Sequence, residues 1–261
     1  MDKKLSICIV AYKGYEEVIN AIASIEQHTS KVVSKRIFIV DNSSTERNVD
    51  RRQLEIEISK YDDVSYFDIG ENLGFGKGHN YVLPLLDSDY HAIVNPDILL
   101  KYETFLPILT YMNENPDVGM VIPNITDEFG VRQAVYRKEL TISDILIRIF
   151  CKKLFRKRDL DHTLQYKDYT KPFQVPFGQG SFLVIRTDLF RELGGFDEGF
   201  FMYLEDADLC KRVNDVSKLM YIPDATVIHK WKQGSHKSIR LLIYHLRSIK
   251  YYFQKWGIRW I

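Results

Sequence analysis

Cysteine is scarce in this chain of 261 residues, and Cys8, Cys151 and Cys210 are the only three. Three widely spaced thiols make neither a disulfide framework nor a cysteine-based metal site, and they fit a reducing compartment. Net charge is nearly absent too, at +1 from 36 basic and 35 acidic residues. The chain as a whole therefore has no global attraction to nucleic acid or membrane, and any electrostatic targeting must be local. No apolar run approaches the roughly 18 residues that a membrane-spanning helix requires. Met1-Asp-Lys-Lys leads straight into a short apolar strand-like run, unlike a secretory leader, so a cytoplasmic location is expected. Repeats, low-complexity tracts and Pro/Ser-rich linkers are lacking as well. With 45% hydrophobic and 27% charged residues, what is left is an ordinary globular composition with room for a substantial core.

Short apolar runs alternate with amphipathic segments in the first half. Leu5–Ala11, Arg36–Val40, Val64–Phe67, His91–Val94 and Val118–Ile122 read as strands. Glu16–Gln27, Arg51–Lys60, Lys77–Leu86 and Thr104–Asn113 carry apolar residues at helical spacing. Such alternation predicts an α/β fold, with a mostly parallel central sheet and helices on both faces. The second half is less regular, and 132–170 is basic and without clear period. A strand is expected over Gly180–Arg186, helices over Asp188–Leu193 and Asp206–Asn214, and short strands over Leu219–Ile222 and Thr226–His229. Ser238–Trp256 reads as a terminal helix, giving a catalytic domain over 1–236 and a basic amphipathic extension over 237–261.

In doubly wound sheets, ligands bind beyond the carboxyl ends of the strands. Three such ends carry polar groups here: Ala11-Tyr12-Lys13, Asp41-Asn-Ser-Ser44 and Asn95-Pro-Asp97. A carboxylate there can accept from a base or ribose, or hold a divalent cation beside a diphosphate; each segment is also ordinary turn chemistry. Asn72-Leu-Gly-Phe-Gly-Lys-Gly-His-Asn80 follows the third strand. Its alternating glycines permit close approach to a ligand, and a helix starting near Gly76 would suit an anion, but no dinucleotide fingerprint is present.

Taken in order, these segments resemble the family 2 glycosyltransferases with the GT-A fold, a Rossmann-like nucleotide-diphosphosugar transferase architecture. The resemblance runs through Gly178–Arg186, Gly194-Gly-Phe-Asp-Glu198, Phe201-Met-Tyr-Leu-Glu-Asp-Ala-Asp-Leu-Cys-Lys-Arg212 and His229-x4-Gly-Ser235, and covers roughly residues 4–236. Within the family it is most similar to bacterial rhamnosyltransferases of cell-wall and surface polysaccharide synthesis. It implies an inverting glycosyltransferase that moves L-rhamnose from dTDP-rhamnose to a saccharide on a polyprenyl carrier. It also implies that Ala11, Tyr12, Asp41, Asn42 and Asn72 contact the nucleotide sugar, together with Gly76, Lys77, Asn80, Asn95 and Gly180. The family's metal motif is often Asp-x-Asp, whereas the first position here is Asn95, leaving Asp97 as its carboxylate.

An acceptor hydroxyl that attacks the anomeric carbon must lose its proton to a base within hydrogen-bond reach. By resemblance Asp206 is that base, with Glu205 next. Asp208 stands four residues before Arg212 and suits a helix-surface ion pair. Asp97 and His229 are the candidate ligands for Mn2+ or Mg2+, with diphosphate oxygens and water completing the shell.

After Asp224 the chain has no acidic residue, and its basic residues are mixed with Leu241, Leu242, Ile243, Tyr251, Tyr252, Phe253, Trp256 and Trp260. This suits an anionic membrane surface, with Arg148, Lys152, Lys153, Arg156, Lys157 and Arg158 as a second contact. The protein is thus expected to be peripheral on the inner face of the cell membrane. Equally, the helix can pack its apolar stripe on the domain, or on a partner subunit as a homodimer. No nucleic-acid recognition motif accompanies the basic tail. The alternatives are the same chemistry with a UDP-hexose or UDP-galactofuranose donor, a nucleotidyltransferase, and a non-catalytic nucleotide-sugar-binding subunit.

Overall fold

The computed structural model describes residues 3–43, 49–147, 154–230 and 239–260. Its centre is a nine-stranded mixed sheet. Strands β1 (Lys3–Ala11), β2 (Val33–Asp41), β3 (Val64–Asp68) and β4 (Tyr90–Val94) lie side by side and parallel. Further along come β5 (Ile98–Leu99), β6 (Val118–Thr126), β8 (Phe173–Gln174), β10 (Phe182–Arg186) and β11 (Lys218–His229). The order across the sheet is β3-β2-β1-β4-β10-β6-β11-β5, with β8 pairing β11. All five residues of β4 are buried, as expected where both faces of a central strand are covered.

The α/β expectation holds, and the departures from the parallel pattern are informative. β10 runs antiparallel to both β4 and β6. It therefore delivers its leading residues, Gly180 and Ser181, to the edge where β1, β2, β4 and β11 end. The two short strands expected at Leu219–Ile222 and Thr226–His229 are one strand, β11. Its register against β6 shifts between Ile222 and Thr226, around Pro223, which has no N–H to give to a ladder.

Helices follow their apolar faces. α1 (Tyr15–His28) buries Tyr15, Val18, Ala21, Ile22 and Ile25, while Glu16 and Glu17 complement the dipole in its first turn. α2 (Val49–Ile58) packs on α1. The expected helix Lys77–Leu86 is instead α3 (Phe75–Asn80) followed by a 3-10 turn over Leu83–Leu85, because Pro84 cannot continue an α-helix. α4 (Phe105–Glu114) covers β6 and β11, and α7 (Thr187–Glu192) covers β10 and β4. The region 132–170 contains β7 (Tyr136–Arg137), α5 (Ile142–Leu146) and α6 (Arg156–His162). β7 pairs with β9 (Phe177–Gly178) in a separate two-stranded ribbon. Arg148, Cys151, Lys152 and Lys153 lie outside the described residues, as do Ser44, Gly234 and Ser235 of the family pattern.

α8 (Glu205–Val216) and α9 (Ile239–Trp256) are locked together through Asp208. This buried carboxylate accepts from Arg212 Nε (2.8 Å), as the four-residue spacing suggests, and also from Trp256 Nε1 (2.9 Å) and Lys255 Nζ (2.7 Å). Tyr252 and Phe253 of α9 are buried. Its other half is not: Ile239, Leu242, Ile243 and Leu246 stay exposed, at i, i+3, i+4 and i+7 of one stripe.

Candidate active site

The loop before α8 is conformationally strained. Tyr203 (φ 71°) and Leu204 (φ 67°) are consecutive non-glycine residues in the left-handed region, costing on the order of 1–3 kcal/mol each. Surrounding contacts enforce this conformation. Ser248 Oγ of α9 donates to Met202 O (2.8 Å), and the Tyr203 ring packs tilted against His245, with centroids 4.9 Å apart. On the other side, Phe75 N donates to Phe201 O (3.1 Å). Gly74 (φ 83°) allows that approach, since a Cβ there would collide with the same Phe201 carbonyl. The strained turn delivers Glu205 and Asp206 at the start of α8.

Asp206 is half-buried and its carboxylate is oriented by two amides. Gly180 N donates to Oδ2 (2.9 Å) and Ala207 N to Oδ1 (2.9 Å). Gly180 has no side chain to spare, because its Cβ would stand 2.9 Å from that of Asp206. Burial raises the Asp206 pKa above the ordinary 3.8, opposed by the two backbone hydrogen bonds and by the charge of Arg137. Glu205 is buried, and its Oε2 has no hydrogen-bond partner. Its pKa is driven well above 4.5, first by burial and then by the neighbouring Asp206 charge. Burial thus pushes both carboxyls toward the protonated form, Glu205 further than Asp206.

The β4 end connects directly to this point. Asn95 N donates to Ser181 O (2.9 Å), one residue from Gly180. Beyond Pro96, the short β5–β11 pairing sets His229 opposite Ile98, and Lys230 N donates to Asp97 O (2.9 Å). Asp97 Oδ1 and His229 Nε2 are thereby brought to 3.4 Å. Asp97 Oδ1 is buried with no hydrogen-bond partner. An orphaned carboxylate oxygen facing an imidazole nitrogen is a donor set that suits a divalent cation with diphosphate oxygens as further ligands. Among the described residues no cluster of three or more His, Cys, Asp or Glu is poised to hold a metal, so these two would need the substrate to complete a shell.

The β2 end is closed more tightly than its turn-like sequence suggests. Asp41 is fully buried, and its Oδ2 accepts from Tyr15 Oη (3.0 Å), Tyr66 Oη (2.7 Å) and Arg51 Nη2 (2.9 Å). Ser43 N donates to Oδ1 (2.9 Å). Other expected contacts serve the framework. Asn42 Nδ2 donates to Gly74 O (2.8 Å), and Asn72 Oδ1 accepts from Gly74 N (2.9 Å). Asn80 holds both backbone groups of Phe196, by Nδ2 to O (2.8 Å) and N to Oδ1 (2.8 Å). Gly76 is buried where a Cβ would meet Phe196. The helix expected to start at Gly76 starts one residue earlier, at Phe75, whose amide donates to Phe201 O (3.1 Å). Ala11 is buried, while Tyr12 and Lys77 are exposed at the strand-end edge. A cavity of about 700 Å³ lies elsewhere, beside α5 and α6, and no strand-end residue lines it.

Arg137, Gln133, Arg51, Tyr15 and Tyr66 escape a reading of the sequence. Arg137 and Gln133 lie in the aperiodic 132–170 region, where only the β7–β9 pairing and the loop before β7 bring them to the site. Arg51 reads as one more solvated charge on an amphipathic helix.

Comparison with known proteins gives the family and the fold. The family model described as glycosyl transferase family 2 matches residues 6–194. The chain is similar to the N-acetylglucosaminyl-diphospho-decaprenol L-rhamnosyltransferase of Mycobacterium tuberculosis, with 27% identity over 88% of this chain and 76% of that one. It is likewise similar to rhamnosyltransferase WbbL of Escherichia coli, with 26% identity over 85% of this chain and 81% of that one. In fold it resembles a crystal structure of GalNAc-T7 with UDP, GalNAc and Mn2+ (TM-score 0.68, 17% identity), matching 95% of this chain and 48% of that one.

Proposed function

The chain belongs to glycosyl transferase family 2, and from that premise we propose that it is an inverting transferase moving L-rhamnose from dTDP-rhamnose to a polyprenyl-linked saccharide. The relatives named as rhamnosyltransferases support the sugar, and the decaprenol in the mycobacterial relative's name supports the lipid carrier. The observation that carries the reading is the oriented, half-buried Asp206 at the strained entry to α8, linked to the Asn95-Pro-Asp97 turn through Gly180 and Ser181. The acceptor hydroxyl gives its proton to Asp206 Oδ as its oxygen forms the new bond to the anomeric carbon. The bond from that carbon to the diphosphate breaks, and the nucleotide leaves with the electron pair. Asp97 and His229 would hold Mn2+ or Mg2+, whose charge stabilises the departing diphosphate. Tyr12 and Lys77 stand exposed for the nucleotide sugar, whereas Asp41 would act on a nucleoside through Tyr15, Tyr66 and Ser43.

Purified protein should release dTDP from dTDP-rhamnose in the presence of Mn2+ or Mg2+ and not in excess EDTA. UDP release from a UDP-sugar instead would keep the chemistry and discard the rhamnosyl assignment. Silence toward every donor, with nucleotide bound tightly and lipid acceptor supplied, would favour a non-catalytic binding subunit.

The same reading places the protein on the cytoplasmic membrane face. Among the described residues no helix is long and apolar enough to cross a membrane. The exposed stripe Ile239, Leu242, Ile243 and Leu246 is flanked by exposed Arg240, Arg247 and Lys250, which suits an anionic bilayer. The protein should co-sediment with phosphatidylglycerol vesicles and not with phosphatidylcholine vesicles, and L242E/L246E should abolish binding without changing nucleotide affinity. A discrete dimer in solution that L242E/L246E dissociates would assign the stripe to a second copy instead.

A further inference from the structure

Gln133 lies on the segment leading into β7, far in sequence from His229, yet its side chain grips His229 at two points. Gln133 Nε2 lies 2.8 Å from the main-chain oxygen of His229, and Gln133 Oε1 lies 3.0 Å from His229 Nδ1. A second carbonyl, that of Thr126, stands 3.5 Å from the same Nε2. Carbonyl oxygens only accept, so the amide nitrogen must be the end that faces them. The other end is then the amide oxygen, which also only accepts, and the hydrogen bond to the ring requires the proton on Nδ1. The main chain of Gln133 is fixed in turn, with its N donating to Ile125 O (2.9 Å) and its O accepting from Val135 N (3.0 Å). Neither end of the amide can turn over without setting like against like.

We propose that Gln133 is a positioning residue that holds His229 as the Nδ1–H tautomer and thereby turns Nε2, as a lone-pair donor, toward Asp97 and the divalent cation. This rests on the metal reading given above. The geometry joins its parts: Nε2 is the ring atom at 3.4 Å from Asp97 Oδ1, and that oxygen is the buried one with no hydrogen-bond partner. With Nε2 unprotonated, two Lewis-basic atoms would face each other across that distance, an arrangement that a cation between them satisfies. The hydrogen bond at the far nitrogen fixes the ring plane and raises the basicity of the near one. Gln133 would never touch the metal, the nucleotide or the sugar.

The test uses the full-length protein with dTDP and Mn2+, with free Mn2+ measured by EPR and the His229 ring read by long-range 1H–15N NMR without metal. Wild type should show the Nδ1–H tautomer and bind Mn2+ in the presence of dTDP. Gln133→Leu, which can neither donate nor accept, should weaken Mn2+ binding about 10–100-fold and populate the Nε2–H tautomer. Metal-free dTDP affinity should not change. Gln133→Glu keeps an acceptor for Nδ1–H, so it should retain the tautomer and most of the Mn2+ affinity, and it keeps the test open if the Leu variant fails to fold. An Nε2–H ring in wild type, or unchanged Mn2+ affinity in Gln133→Leu, overturns the proposal. A wild type with the Nδ1–H ring but no Mn2+ binding instead overturns the metal reading on which it rests.

Discussion

Replacing Asp206 with Asn is expected to lower turnover by about 10²–10⁴-fold, the range for loss of a positioned general base, while dTDP affinity stays within about twofold. Asn is nearly isosteric, and its oxygen can still accept one of the two amide hydrogen bonds. The other becomes donor against donor, so a modest loss of stability on the order of 1 kcal/mol accompanies the change. A thermal melt beside the kinetics separates that cost from the chemical one. Glu205→Gln is the informative contrast. If buried Glu205 already holds the proton of the pair, an amide removes no charge, and turnover should stay within about tenfold. The pH profile sharpens the test. Activity should rise with pH through the raised Asp206 pKa, because the base must be ionised to accept a proton. If Glu205 were ionised in that range, its charge would push Asp206 higher, and Gln would move the acidic limb to lower pH. A limb that stays in place supports a neutral Glu205. A Glu205→Gln variant as inert as Asp206→Asn would reverse the assignment of the base.

Much of this site is legible in the sequence because strand ends are. Continuous apolar runs such as Leu5–Ala11 and His91–Val94 mark buried strands, and the polar residues that interrupt them must lie at the sheet edge. Asp97 follows from that logic, whereas Asp206, at the start of a helix, follows only from the resemblance to the family's motifs. Strand direction is not encoded so locally. Gly180–Arg186 reads as a strand equally well either way, and its antiparallel course is what carries Gly180 N to Asp206. Pro223 suggests a break in β11 where the chain only slips register. The residues that orient the chemistry are harder still. Gln133 and Arg137 reach the site through a two-residue ribbon and a loop, neither of which has a period to detect. The asparagines of the glycine-rich segment are visible as a motif, yet their amides hold Gly74 and Phe196, so a conspicuous pattern marks the support of the loop before α8.

The second large effect concerns the β2 end, where Arg51→Met should cost about 3–5 kcal/mol of stability, the penalty for stranding a buried charge. Arg51 donates through Nε (3.2 Å) and Nη2 (2.9 Å) to Asp41 Oδ2, and through Nη1 (2.9 Å) and Nη2 (2.8 Å) to the half-exposed Asp68. Met keeps much of the length and apolar packing but leaves Asp41, fully buried, without its counter-charge. Tyr15 and Tyr66 still donate, but two phenols do not replace a guanidinium. The effect has a definite pH dependence. Burial alone would raise the Asp41 pKa, but hydrogen bonds from Ser43, Tyr66 and Arg51 outweigh it and hold the value below the ordinary 3.8. A depressed carboxylate pKa contributes stability that is present above the unfolded value and lost as pH falls through the folded one. Wild type and Arg51→Met should therefore differ most near neutral pH in urea unfolding and converge on acidification below 3.8. Adding Asp41→Asn to Arg51→Met should recover part of the loss, because the stranded charge is then gone. A loss under about 1 kcal/mol, well short of the buried-pair range, or one that is constant with pH, would mean that Asp41 is held by its phenols and backbone alone. If the prediction holds, Tyr15 and Tyr66 loosen together with Asp41, and dTDP affinity should fall in parallel with stability.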